Sequence, residues 1–323
     1  MTVRVPAKIN LQLSVGPARP DGYHELVTVF HGVSLYDEVT VDHADRGTVT
    51  VSGEGAESVP ADDANLAMRA AAALAKAAGL PPRRIPRAAP ATAADGSGTG
   101  PGVLIEIRKW IPVAAGLAGG SADAAAALVA CNELWRAGLS VAELAEIAAG
   151  IGSDVPFALY GGTSVGLGRG ERLTPALVAG QYHWVLAFAT GGLSTADVYR
   201  TCDRIRNNRG IVVAPPKPST ELMAALRSGD PAEVGPLLSN ELQPAALSLR
   251  PDLRRTLAAG REYGALGGVV SGSGPTCVFL VADAQRAVDL VVALTGAGVC
   301  RSAVRATGPV QGAVLTSPTE VSG

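Results

Sequence analysis

Between an apolar run, Val103-Leu104-Ile105-Glu106-Ile107, and an alanine-rich run from Ala124 to Cys131 lies Pro112-Val113-Ala114-Ala115-Gly116-Leu117-Ala118-Gly119-Gly120-Ser121-Ala122-Asp123-Ala124. That order reads as strand, glycine loop, helix. Without a Cβ, Gly116, Gly119 and Gly120 let the main chain come close to a ligand. Ser121 is expected to cap the helix, with Asp123 in the first turn, where a carboxylate suits the helix dipole. A loop of free N–H groups feeding a helix N-terminus is an anion site, and phosphate is the usual anion. Taken alone, the loop is equally compatible with a tight turn before a small-residue helix that packs closely. It is not a Walker A loop, because no Gly-Lys-Ser/Thr follows, and it lacks the Gly-x-Gly-x-x-Gly of a dinucleotide site.

A chain of 323 residues can bury a large core and is expected to form two domains. A formal net charge of −2 makes no electrostatic case for nucleic acid or an anionic membrane. Cys131, Cys202, Cys277 and Cys300 form no C-x-x-C pair, so buried thiols in a reducing cytoplasm are expected rather than a zinc site or disulfide framework. The N-terminus has no apolar signal-peptide core, and no uncharged apolar run reaches the ~18 residues of a membrane span.

From Thr2 to Val15 apolar residues occupy the odd positions and mostly polar ones the even positions, the pattern of a half-buried strand. Pro6 points to an edge or a bulge. Period two puts Lys8 and Asn10 on one face, which is most simply a solvated face. Further strands are expected at residues 38–41 and 48–51. Asp62-Asp63 is expected to cap a helix over residues 64–78. Nine of the 22 residues from Pro81 to Gly102 are proline or glycine, so this stretch reads as a mobile excursion loop. Ser140 and Glu143 form a capping box. Asp154, just before Val155-Pro156, looks by itself like a helix cap. A glycine-rich hairpin follows at residues 161–170, and a helix entered through Ser194. Residues 221–227, 233–238, 253–263 and 284–294 have helical patterns. Val269-Val270 and residues 277–281 flank Ser271-Gly272-Ser273-Gly274-Pro275-Thr276, a second glycine loop that could equally be a wide hairpin turn. Together with strands near residues 184–189 and 299–306, this order resembles a split β-α-β unit.

The segment Pro-x-x-x-Gly-Leu-x-Gly-Gly-Ser-x-Asp-Ala resembles the central motif of the GHMP kinases, whose loop wraps the phosphates of ATP. Pro6-Ala7-Lys8-Ile9-Asn10-Leu11, Arg19-Pro20-Asp21-Gly22-Tyr23-His24-Glu25-Leu26, Gly152-Ser153-Asp154-Val155-Pro156-Phe157 and the second glycine loop extend the resemblance, in family order, to the members that phosphorylate cytidine diphosphate methylerythritol in the non-mevalonate isoprenoid precursor pathway. The resemblance implies an α+β, two-domain GHMP kinase fold. Its N-terminal β/α nucleotide-binding domain would span residues 1–178, a C-terminal ferredoxin-like (split β-α-β) domain 179–309, and a tail 310–323.

The resemblance also implies roles. Asp154 would take the proton of the substrate 2-hydroxyl. Lys8 would lie beside it, keep it ionised and help orient the hydroxyl or the γ-phosphate. Asn10 would bond the substrate near its reacting end, and Thr195 would lie near it. Tyr23 and His24 would hold the cytosine, with Tyr199 as a second aromatic wall. Pro112, Val113, Ala114, Ala115, Gly116, Leu117, Ala118, Gly119, Gly120, Ser121 and Ala122 would wrap ATP, with Asn65, Leu66 and Lys109 nearby. Gly272, Ser273 and Gly274 would close over the site. Magnesium should accompany ATP, with Ser121 able to reach it. Ala118 stands where the family loop often has glycine, which is tolerable only if its φ is negative. The long 81–102 loop also departs from the family pattern. A cytoplasmic monomer or weak dimer, binding neither nucleic acid nor membrane, is expected. The alternatives are another GHMP kinase, for homoserine, mevalonate or a sugar, and a non-catalytic ligand sensor on the same fold.

Overall fold

The computed structural model describes residues 1–20, 22–80 and 102–316. The chain begins with two long strands, β1 (Thr2–Ala18) and β2 (His24–His43), then β3 (Thr48–Gly53), α1 (Leu66–Ala77) and β4 (Val103–Lys109). Three helices follow, α2 (Gly119–Leu134), α3 (Val141–Ile151) and α4 (Val155–Tyr160), and then the hairpin β5 (Thr163–Gly168) and β6 (Arg172–Pro175). The second half contains β7 (Tyr182–Phe188), α5 (Thr195–Asn208), α6 (Thr220–Ser228), α7 (Pro231–Val234), β8 (Ser239–Asn240), α8 (Gln243–Leu249) and α9 (Leu253–Glu262). It closes with β9 (Gly267–Val270), β10 (Cys277–Val281), α10 (Ala284–Gly296), β11 (Ser302–Gly308) and β12 (Val314–Leu315).

The first sheet has the order β12-β1-β2-β4-β3, with β5 added on β2, β6 on β5 and β8 on β1. The second has the order β11-β7-β10-β9, antiparallel at each pairing. With helices between β7 and β9 and between β10 and β11, this is the expected ferredoxin-like split β-α-β arrangement.

β1 is covered on both sides, more fully than its alternating pattern implies. Val3, Val5, Ala7, Ile9 and Leu11 belong to the main core. Leu13 and Val15 belong instead to a small cluster with Val198 and Cys202 of α5 and with Leu242 and Ala245. Lys8 and Asn10 alternate with Ala7, Ile9 and Leu11 of the main core, and both are buried rather than on a solvated face. Pro6 sits at a register shift against β2, the bulge a strand proline calls for.

α2 is apolar on every side, with Ala122, Ala124–Ala127, Leu128, Ala130 and Cys131 all buried. Small side chains let it lie close against the sheet and the neighbouring helices, so the loop that enters it has little freedom. The Ser140–Glu143 capping box forms as expected.

Several local expectations are corrected. α2 starts at Gly119 behind Ala118, so Ser121 lies inside the helix and is not its cap. α1 is capped by Asn65, whose extended backbone lets its side chain accept from the Ala67 amide; Asp62-Asp63 lies upstream of the cap. Residues 38–41 are part of the single 20-residue strand β2. Residues 233–238 split into the end of α7 and a 3₁₀ turn, Gly235–Leu237, because Pro236 has no amide to continue an α-helix. Residues 310–316 are not a free tail: Gly162 donates to the Val310 carbonyl, and Val314 and Leu315 pair with Arg4 and Val3. The excursion loop, apart from Gly102, lies outside the described residues.

His31 of β2 is fully buried, its Nδ1 2.8 Å from the Thr163 hydroxyl and its ring edge-on to Tyr182 and Trp184. Burial lowers its pKa from 6.5 to about 3. The unfolded chain therefore takes up a proton that the native state refuses. Stability is complete above pH 6.5 and falls as the pH drops towards 3, by about 2 kcal/mol at pH 5. Urea denaturation at pH 7 and pH 5 should show a smaller acid loss in His31→Gln than in wild type.

Candidate active site

A cavity of about 1100 Å³ opens between the two sheets, lined by β1, β2, the loop before α2, the turn before α4, the start of α5 and the second glycine loop. The two glycine loops meet at its centre. Ser271 Oγ donates to the Gly116 carbonyl at 3.1 Å, and the Thr276 amide to the Ala115 carbonyl at 3.3 Å. A Cβ on Gly116 would lie 2.0 Å from the Ser271 carbonyl oxygen, so only glycine permits this approach, and φ at Gly116 is +79°. The second loop is thus both a hairpin turn joining β9 to β10 and a wall of the cavity.

No side chain caps α2. The amides of its first turn, at Gly119, Gly120 and Ser121, therefore open onto the cavity that these residues line. Ala118 precedes them with φ +60° and Ala114 has φ +51°, both left-handed. The glycine missing at position 118 is therefore missing where an alanine is strained. Below the loop lies a buried cluster: Lys109 Nζ donates to Asp37 and to Asp123 Oδ2, at 2.5 and 2.7 Å. Asp37 Oδ1 also accepts from the Trp110 and Ile111 amides. Burial pulls the Lys109 pKa down, but the two carboxylates outweigh it and hold it above the ordinary lysine value. Burial pushes the Asp123 carboxyl up, against the pull of Lys109. Asp123 is thus committed to Lys109, not to the helix dipole. Lys109 lines the cavity with its ammonium already held by two carboxylates.

Lys8 Nζ stands 3.5 Å from Asp154 Oδ2 and donates to Asn10 Oδ1 at 2.8 Å. Asp154 precedes α4, but its side chain makes no capping bond and is about 29% exposed. The simple capping role expected of an Asp-x-Pro segment is therefore vacant, and the carboxylate faces Lys8 and the cavity. A Cβ on Gly272 would lie 3.3 Å from Asn10 Oδ1 and 3.4 Å from Lys8 Nζ, which places the second glycine loop against these two side chains.

At the other end of the cavity, His24 Nε2 is 2.9 Å from Asp203 Oδ1 on α5. The His24 ring packs on Tyr199 with centroids 5.2 Å apart. Burial, then the charge of Asp154, pushes the Tyr199 phenol above its ordinary value. Tyr23 is exposed, with the Arg169 guanidinium 5.1 Å from its ring centre. Thr195 Oγ1 and Ser273 Oγ are 3.0 Å apart and bridge α5 to the second glycine loop.

Of the residues singled out in the sequence, Lys8, Asn10, Tyr23, His24, Asn65, Leu66, Lys109, Pro112 to Gly116, Ala118 to Ser121, Asp154, Thr195, Tyr199, Gly272 and Ser273 line this one cavity. Leu117 and Ala122 do not, because both side chains are buried in the main core. Gly274 is not on the cavity wall either; its amide closes the turn onto the Ser271 carbonyl. Asp37, Thr28, Arg169 and Asp203 belong to no motif of the sequence. Asp37 could have been suspected as a charge inside a long apolar strand, whereas the others have no such mark.

Replacing Ala118 by glycine should relieve the left-handed strain, offset by the greater freedom of the unfolded chain. A net gain of about 0.5–1 kcal/mol, seen as a melting temperature higher by about 2 °C, is the expected outcome.

Residues 65–162 match the GHMP kinases N terminal domain and residues 222–300 the GHMP kinases C terminal domain. The chain is 55% identical over 320 residues to the 4-diphosphocytidyl-2-C-methyl-D-erythritol kinase of Mycolicibacterium gilvum, covering 98% of this chain and 94% of that one. It is 52% identical over 324 residues to the kinase of the same name from Mycobacterium tuberculosis, covering 99% and 95%. A crystal structure of 4-(cytidine 5'-diphospho)-2C-methyl-D-erythritol kinase superposes with a TM-score of 0.73 at 32% identity, covering 95% of this chain and 98% of that one. A homoserine kinase from Cytophaga hutchinsonii shares the fold, with a TM-score of 0.69 at 20% identity and coverage of 97% and 96%. The chain belongs to the GHMP kinases, ATP-using enzymes, and within them to the family of the 4-diphosphocytidyl-2-C-methyl-D-erythritol kinases.

Proposed function

We propose that the protein transfers the γ-phosphoryl group of ATP to the 2-hydroxyl of 4-diphosphocytidyl-2-C-methyl-D-erythritol, a step in making isoprenoid precursors. The observation that carries the mechanism is the Lys8–Asp154 pair, with the carboxylate free of its expected capping role and lining the same cavity as the glycine loop. Phosphoryl transfer asks a protein mainly for positioning and charge stabilisation. Asp154 accepts the hydroxyl proton late in the transfer, as a carboxylate of ordinary basicity can when it is well placed. The Lys8 ammonium has three protons. One goes to Asn10 and one faces Asp154, which leaves one for the oxygens of the transferring group.

The bare N-terminus of α2 fits a triphosphate: backbone amides at Gly119, Gly120 and Ser121, glycine where a Cβ would crowd, and a long helix behind. Asn65 and Leu66 form the neighbouring wall. Gly272 and Ser273 cover the loop from the second sheet. Magnesium would neutralise the triphosphate charge, and the Ser121 hydroxyl, on the cavity wall, could help to hold it. Among the described residues no cluster of three or more His, Cys, Asp or Glu residues offers a separate metal site. The cytosine lies between Tyr23 and Tyr199 rather than between Tyr199 and His24, whose rings already touch.

A monomer or weak dimer is part of the same proposal. The four free cysteines support a cytoplasmic setting. Among the described residues no helix is long and apolar enough to cross a membrane.

Coupled ADP release with Mg-ATP and the cytidylyl substrate tests the proposal, beside a panel of homoserine, mevalonate and sugars. Turnover with the cytidylyl substrate alone is expected. Asp154→Asn should lower kcat by about 10²–10⁴-fold with nucleotide binding retained, and Lys8→Ala by about 10²–10³-fold. Tight binding of both ligands without ADP release would instead identify a sensor.

A further inference from the structure

We infer that Thr28 is a positioning residue for phosphoryl transfer: its hydroxyl fixes the side-chain amide of Asn10, and through it the ammonium of Lys8. The inference rests on the proposed kinase reaction for its catalytic consequence, but not for its structural one. Thr28 lies on β2, 1% exposed, and pairs with Leu13 of β1, just past the register shift that follows Asn10. Its Oγ1 is 2.9 Å from the Gln12 carbonyl oxygen and 2.7 Å from Asn10 Nδ2. A carbonyl can only accept, so the single hydroxyl proton of Thr28 goes to Gln12. Towards Asn10 the hydroxyl is then an acceptor only, and the Asn10 atom facing it must be the NH₂.

The amide oxygen consequently points the other way, at Lys8 Nζ, 2.8 Å off. Lysine can only donate, so the two ends of the chain independently require the same orientation of one amide. A fixed carbonyl dipole draws one ammonium proton aside and sets the direction of the other two, towards Asp154 and the cavity. The relay is buried from the Gln12 carbonyl to Asn10, where a hydrogen bond left without its partner is costly.

Valine has the shape of threonine without the hydroxyl. In Thr28→Val the Asn10 NH₂ would face a methyl group, and the Gln12 carbonyl would lose its donor. The side chain of Asn10 is then drawn towards other acceptors in the cavity, and its oxygen leaves Lys8. The expected result is a fall in kcat of about ten- to a hundredfold, with the KM for ATP changed less than about threefold. Thr28→Ser keeps the hydroxyl and should hold kcat within about threefold of wild type. A role in stability alone would lower the melting temperature of the valine variant and leave kcat per folded molecule intact.

A Thr28→Val kcat within threefold of wild type would overturn the inference. So would a serine variant as slow as the valine one, or a loss confined to the KM of the cytidylyl substrate. A second readout is independent of turnover. In protein labelled at asparagine with ¹⁵N, the Asn10 side-chain amide protons should exchange slowly with solvent in wild type and Thr28→Ser, and quickly in Thr28→Val. If wild type releases no ADP, the kinase proposal fails while the exchange experiment still decides the role of Thr28. Equal exchange in all three proteins sinks the positioning role whatever the substrate.

Discussion

The buried cation of Lys109 is the interaction around which the site is built. It holds carboxylates from β2, through Asp37, and from α2, through Asp123, while Asp37 also takes the two amides that follow β4. A charge this deep is tolerated only when paired, and breaking such a pair costs about 3–5 kcal/mol. The cluster therefore pins the strand, the start of the loop and the first turn of the helix to one another. With those ends fixed, the loop runs through left-handed conformations at Ala114, Gly116 and Ala118, and α2 begins with no side-chain cap. An uncapped helix start above a rigid floor is what an anionic ligand can use.

The second constraint is the path of β1. Its residues up to Leu11 belong to a core that draws on both halves of the chain, and Leu13 and Val15 to a smaller cluster with α5. Lys8 and Asn10 are buried along this strand yet still line the cavity. The turn before α4 brings Asp154 against Lys8. The second glycine loop, in main-chain contact with the first, then closes the space above Lys8. The cation, the carboxylate and the helix start are thus held by three elements that each have another reason to be where they are.

Much of this was legible along the chain. The glycine loop, the strand β1, the capping box of α3 and the order of the last strands are local patterns, and each formed, although β1 is buried on both faces rather than one. The misjudged positions depend on partners remote in sequence. Ser121 looked like a cap because serine favours that position, but Ala118 already turns the chain. Residues 310–316 looked like a tail because two paired residues leave almost no pattern. Asp37, Thr28 and Asp203 act through side chains 72, 18 and 179 residues away, which no local motif records.

The amino-acid order by itself marked a glycine-rich approach suited to phosphates, and its resemblance to the GHMP kinases singled out a lysine, an aspartate and aromatic residues around it. It did so because backbone freedom, helix-start preference and charge belong to single residues and their near neighbours. Only the tertiary structure decided which of those groups are free to act. Lys109 is spent on two buried carboxylates, Asp154 is released from capping, and Asn10 is oriented from both ends. Those outcomes depend on burial and hydrogen-bond pairing across the fold, where each donor and acceptor must find its partner away from water.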